Sequence, residues 1–137
     1  MPDIPVLLAR RVAERARYRC EYCHTPQVIT AQTFHVDHVV PQALGGQTRL
    51  HNLSYACPHC NLHKSDRIHA HDPRTGQLVR LFNPRTDRWD EHLRWSPTYT
   101  RLIPRTAIAR ATVAALTLNA DVFVKARQMW LVLGLIP

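Results

Sequence analysis

The four cysteines of this 137-residue chain fall into two Cys-x-x-Cys pairs, Cys20/Cys23 and Cys57/Cys60, and there are no others. Two thiolates from each of two tight turns make a full set of soft donors for one tetrahedral Zn2+, with no long unsupported loop. The stretch they bracket needs such a staple. From Cys20 to Lys64 the sequence is mostly polar and loop-like, too poor in apolar surface to fold on burial alone, so metal binding would supply folding free energy there. One Cys-x-x-Cys suggests thiol redox work. Two of them with no βαβ pattern around them read as metal ligands in a reducing compartment, and a cytoplasmic location is expected.

Between the pairs stands His35-Val36-Asp37-His38, followed by Asn52, and the second pair runs on into Asn61, His63, Lys64 and Arg67. These oxygen and imidazole donors suit a second site of different chemistry. A hard cation prefers oxygen ligands, which fits Asp37, and a neutral imidazole can take a proton from water near neutral pH, which fits His38. Hydrolysing a phosphodiester requires both an activated water and a neutralised leaving oxygen. Adjacent strand residues point to opposite faces, so Asp37 and His38 can share a substrate only at a twist or a strand end.

The pattern predicts a helix over about 5–18 with Leu7, Leu8, Val12 and Ala16 near one face, and a strand over 34–40 ended by Pro41. A loop through Gly45 and Gly46 follows, then a strand over 53–56 and a helix from Pro58 to about Ile68. Residues 72–76 read as a turn and 77–82 as a returning strand, while 89–100 is expected to be irregular or extended around Trp89 and Trp95. Helical periodicity covers 106–118, and Asn119 is placed to cap a last helix with Val122, Phe123, Trp130 and Leu133 inward. The expected organisation is 1–70 as the metal-stapled core with its leading helix, and 71–137 as a hairpin-and-helix extension packed on it in one unit.

The formal charge is +8, and 16 of the 18 basic residues are Arg, clustered before Cys20 and between Arg67 and Arg110. Guanidinium groups favour bidentate phosphate contacts, so a polyanionic partner fits the set as a whole. No apolar run reaches the roughly 18 residues of a membrane span, and the first ten residues lack the basic start of a signal peptide.

Taken together, Asp37-His38, a glycine-containing loop, Asn52 and a helix starting at Cys-x-x-Cys-Asn resemble the HNH endonuclease family over roughly residues 18–68. His38 and Asn52 are 14 positions apart, His38 and Asn61 are 23 apart, and both separations fit. The resemblance implies an α+β fold, a ββα-metal core (the HNH or His-Me finger) stapled by a zinc site of four cysteines, with an N-terminal helix and a C-terminal helical extension. It implies that His38 is the general base, that Asp37 and Asn61 hold a catalytic divalent cation (Mg2+ or Mn2+, with Ni2+ or Zn2+ as further candidates), and that Asn52 braces the loop and orients the base. Lys64 and Arg67 are expected on nucleic acid, with His35 and His63 as additional site candidates; Ser65 stands where some relatives carry a ligand His. The implied activity is hydrolysis of DNA, with a duplex as the expected substrate, to 5′-phosphate and 3′-hydroxyl ends with low sequence specificity. The rival reading is a zinc-ribbon nucleic-acid-binding module or adaptor without catalysis of its own. Oligomeric state is not legible.

Overall fold

In the computed structural model, which describes residues 4–135, the predicted ββα succession is present with shorter elements. Strand β1 (His35–His38) pairs antiparallel with β2 (Leu53–Ala56), setting Asp37 opposite Ser54 and His38 opposite Leu53. β1 is therefore four residues rather than seven, because Val39 and Val40 leave the ladder to enter the loop: Val39 N–H donates to the Asn52 carbonyl and Val40 N–H to its side chain. The helix that follows, which we number α2 (Pro58–Lys64), has Pro58 in its first turn and the Cys57 sulfur accepting from Cys60 N–H. It stops short of the expected Ile68 because Ser65 takes φ +52°, outside the helical region.

The leading helix α1 (Val6–Arg15) is likewise shorter than predicted, since Arg17 and Tyr18 turn the chain with positive φ. Val12 and Ala13 are buried, but Leu7 faces solvent, contrary to the expected face. Contacts of α1 run to β1 and β2, and Arg15 reaches across to donate to the Leu50 and Leu53 carbonyls.

The chain divides into two compact units. The first ends at Ile68 and includes Asn83–Thr86, and the second comprises His69–Phe82 and the described residues from Asp87 onward. In the second, β3 (His69–His71) and β4 (Leu78–Arg80) form a hairpin. Its turn is organised by Asp72, whose buried carboxylate accepts from Arg74 N–H, the Thr75 hydroxyl and the Nε and one terminal nitrogen of the Arg110 guanidinium. Residues 89–100, expected to be irregular or extended, form a short helix α3 (Trp89–His92), which was not foreseen, and then the extended strand β5 (Leu93–Trp95), paired with β6 (Leu102–Pro104). No periodicity signals elements of three or four residues, which is why the sequence conceals them.

Helix α4 (Ala107–Ala115) is capped by Thr106, whose hydroxyl accepts from Ala109 N–H, and packs on β3, β4 and β6. The last helix, α5 (Asp121–Val132), is not capped by Asn119. That side chain instead bonds both backbone groups of Leu102 at 2.8 Å, splinting β6. Phe123 and Trp130 are buried as expected, but Val122 and Leu133 are exposed. Arg127, wholly buried, takes the interior place, donating to the Thr100 and Leu118 carbonyls beneath Trp95, Phe123 and Trp130. No helix among the described residues is long and apolar enough to cross a membrane.

Candidate active site and metal centre

All four cysteines are buried, and their sulfurs lie within 4.8 Å of one another. The first pair sits in a tight turn closed by the Arg19–Pro26 bridge, with Cys20 N–H donating to the Thr25 carbonyl and His24 at φ +64°. The second pair opens α2. In each, the backbone N–H of the second cysteine points at the sulfur of the first, at 3.5 Å for Cys23 and 3.4 Å for Cys60, an orientation that suits a negatively charged acceptor. Burial pushes the Cys60 thiol well up, so the set is comfortable as thiolates only around a cation. The spacing fits one. A tetrahedron with metal–sulfur bonds of about 2.3 Å has edges of about 3.8 Å, and Cys23 Sγ lies 3.7 Å from Cys57 Sγ. The four cysteines could hold a metal such as zinc.

Beside this centre, a cleft of about 470 Å³ is lined by His35, Asp37, His38, Asn61 and Asp66, among others. Asp37 and His38 share it because His38 is the last residue of β1, the strand end that two adjacent residues need. Helix α2 contributes Asn61 to the cleft, while its inward face buries Cys60 and, one turn on, Lys64.

Lys64 is not on the surface where a phosphate contact was expected. It is 2 % exposed, its ammonium lies 3.0 Å from Asp37 Oδ2, and it donates to the His38 carbonyl at 3.2 Å. One cation thus ties down both ends of the Asp37–His38 pair. Burial pushes the Asp37 carboxyl up, while the Lys64 charge and hydrogen bond, and more weakly His38 and His35, pull it back. Oδ2 is sealed from solvent at this contact.

His38 Nε2 lies 2.9 Å from the Thr48 hydroxyl, to which Gln42 also donates at 3.3 Å. Thr48 was missed by sequence reasoning, since nothing in Gly-Gly-Gln-Thr distinguishes a histidine partner from a loop hydroxyl. Asn52, buried, does brace the loop. Its amide donates to the Val40 and Gln47 carbonyls at 3.0 Å, and its oxygen accepts from Val40 N–H at 2.9 Å. Gly46 makes this possible: a Cβ there would lie 1.7 Å from the Val40 carbonyl oxygen and 2.8 Å from Asn52 Nδ2.

Of the remaining candidates, His35 is exposed and lines the cleft. His63 has its Nδ1 2.9 Å from the His59 carbonyl and its ring stacked on His59 at 4.0 Å, and it is not among the cleft residues. Arg67 is exposed and donates to the His63 carbonyl at the end of α2. Part of the arginine set is structural: Arg85 pairs with Glu21 in this unit, and Arg80, Arg110 and Arg127 are engaged in the other.

Residues 20–67 match the family model described as HNH endonuclease, a span running from the first zinc-type cysteine past the end of α2. Over this stretch the chain is similar to HNH endonuclease domains. No curated protein and no solved structure matches the chain. The HNH domain implies a nuclease family, with nucleic acid as the general class of substrate. The mixture of helices and small sheets, with four clustered cysteines, is the architecture the resemblance implied.

Proposed function

We propose that this chain is a metal-dependent endonuclease that hydrolyses DNA phosphodiesters, with His38 as general base. The observation that carries this reading is the convergence of His38, Asp37 and Asn61 on one cleft beside the cysteine cluster. Asp37 Oδ1 and the Asn61 amide oxygen are hard donors that would hold a divalent cation. Such a cation, when bound, neutralises charge on the scissile phosphate and the leaving 3′ oxygen.

The chain's own residues do the rest. In the tautomer whose Nε2–H donates to Thr48, the imidazole lone pair lies on Nδ1, which would take the proton of the attacking water. Lys64 holds the Asp37 carboxylate and the His38 backbone in register, so base and ligand keep a fixed separation. Asn52 fixes the loop that carries Thr48.

Nicking of supercoiled plasmid with added Mg2+ or Mn2+ tests the proposal. His38→Ala should lower the rate roughly 10²–10⁴-fold while zinc content and DNA binding stay at wild-type levels. Asn61→Ala, which leaves the Lys64 pair intact, should be partly rescued by raising Mn2+, and His38→Ala should not. Wild-type protein with no metal-dependent nicking would overturn the reading in favour of a binding module.

A further inference from the structure

A second cleft, of about 550 Å³, lies wholly within the other unit, lined by Trp89, Trp95, Tyr99, Arg94 and Arg105 among its residues. The indoles of Trp89 and Trp95 stand 5.8 Å apart, inclined by 34°, and both are partly exposed. Trp95 is backed by the Arg127 guanidinium 5.2 Å from its ring and by the edge of Trp130, so the inner wall is stiff. Arg94 and Arg105 are exposed at the cleft. Arg105 donates to the Asp90 carbonyl at 3.0 Å, and among the described residues neither arginine is in an ion pair, so the two guanidiniums outnumber the one acidic residue of the lining, Asp90.

Tyr99 adds an independent observation. It occupies the turn between β5 and β6 at φ +59°, the left-handed region that a bulky side chain adopts at a cost and that glycine adopts freely. Its N–H closes the turn on the Ser96 carbonyl at 2.8 Å, a bond any residue makes. The turn therefore does not need tyrosine, yet the ring is 43 % exposed and lines the cleft. A strained residue that holds its ring out at a cleft points to function.

We propose that this cleft binds single-stranded nucleic acid, stacking unpaired bases on Trp89, Trp95 and Tyr99 with Arg94 and Arg105 on the adjoining phosphates. Flat rings beside two guanidiniums that are in no ion pair complement a ligand that alternates π-faces with anionic charge. The choice of nucleic acid over another aromatic-seeking ligand rests on the nuclease reading of the HNH domain, but the binding itself needs no cleavage.

The test is fluorescence anisotropy of labelled dT12, with no divalent cation added, against an abasic oligomer of equal length and charge. The full-length protein should bind dT12 about tenfold more tightly than the abasic strand, the order expected for stacking a base. Trp89→Ala should remove that preference, and Arg94→Glu/Arg105→Glu should weaken both ligands together. Tyr99→Gly separates function from folding: it should reduce the preference for dT12 while leaving the melting temperature equal to or above wild type. Equal affinity for the two strands, or a preference that survives both Trp89→Ala and Tyr99→Gly, overturns the proposal. Plasmid nicking measured alongside reports on the HNH cleft separately, so a cleaving protein without base preference and a base-binding protein without cleavage are distinct results.

Discussion

The first unit adds four cysteines to a small apolar interior of Val12, Tyr22, Phe34, Leu53 and Tyr55, where the second unit has none and buries larger aromatic and leucine side chains. In the first, Cys20, Cys23, Cys57, Cys60, Lys64 and Asn52 occupy interior positions that hydrophobic side chains would fill in an ordinary domain. In the second, Trp130, Phe123, Leu93, Leu102, Leu116 and Leu118 make an aliphatic and aromatic interior, into which Arg127 donates from its terminal nitrogens to the Thr100 and Leu118 carbonyls. The contrast teaches that the two units draw stability from different sources. With a metal on the four cysteines, the first would add ligation to a modest apolar interior, while the second draws chiefly on area removed from water.

The largest effect should come from the metal. Cys57→Ser, or stripping zinc with a strong chelator, should unfold the first unit. Tryptophan fluorescence offers a sharp control, because all three tryptophans belong to the second unit. Zinc loss with an unchanged melting curve would break the comparison.

Next in size is the buried ion pair. Lys64→Met leaves a carboxylate that is only 11 % exposed without its counter-charge, and should cost about 3–5 kcal/mol in urea denaturation. The double change Asp37→Leu/Lys64→Met should recover most of that loss, since it removes the stranded charge as well. If the double variant is no better than the single one, Lys64 matters through packing rather than through Asp37.

The second unit has its own, smaller electrostatic feature. The Arg110 guanidinium, aided by Arg74 N–H and Thr75, holds the Asp72 carboxyl well below the usual carboxylate range. A depressed carboxylate stabilises the fold above its unfolded pKa of about 3.9 and loses that contribution as pH falls towards the folded value. Asp72→Asn should therefore lower the melting temperature at pH 7, and its deficit should shrink below about pH 4. The same deficit at both pH values would mean that the turn, not the charge, is at stake. Smallest of all, Thr106→Ala should cost about 1 kcal/mol, the usual loss of an N-cap, read by tryptophan fluorescence.

How far the sequence could be read followed the same divide. The cysteine spacing, the strand at 53–56 and the cleft group of Asp37, His38 and Asn61 were legible because metal and phosphate chemistry demand particular residues at particular separations. Lys64 was expected on nucleic acid, and its burial was not legible because a lysine's type says nothing about it; only the helical spacing from Cys60, one turn earlier, hinted that it faces inward. The β5–β6 hairpin and the Asn119 splint were hidden for another reason. Short strands carry no period, and a side chain that bonds a backbone 17 residues away leaves no local mark.

Gly46 carries a consequence for how this loop can change over time. A methyl group at that position meets a main-chain oxygen, which no shortening of a neighbour relieves, and it also meets the amide of Asn52. Replacing Asn52 with a smaller residue would clear only the second obstacle, while freeing the Val40 and Gln47 carbonyls it had satisfied. The two positions are thus epistatic: neither can drift alone, and a joint change must redraw the whole path from Val40 to Asn52. Loop variation among descendants of this chain should accumulate at Gly45, where a side chain meets nothing within 4 Å and only the backbone angle resists, and stop abruptly one residue later.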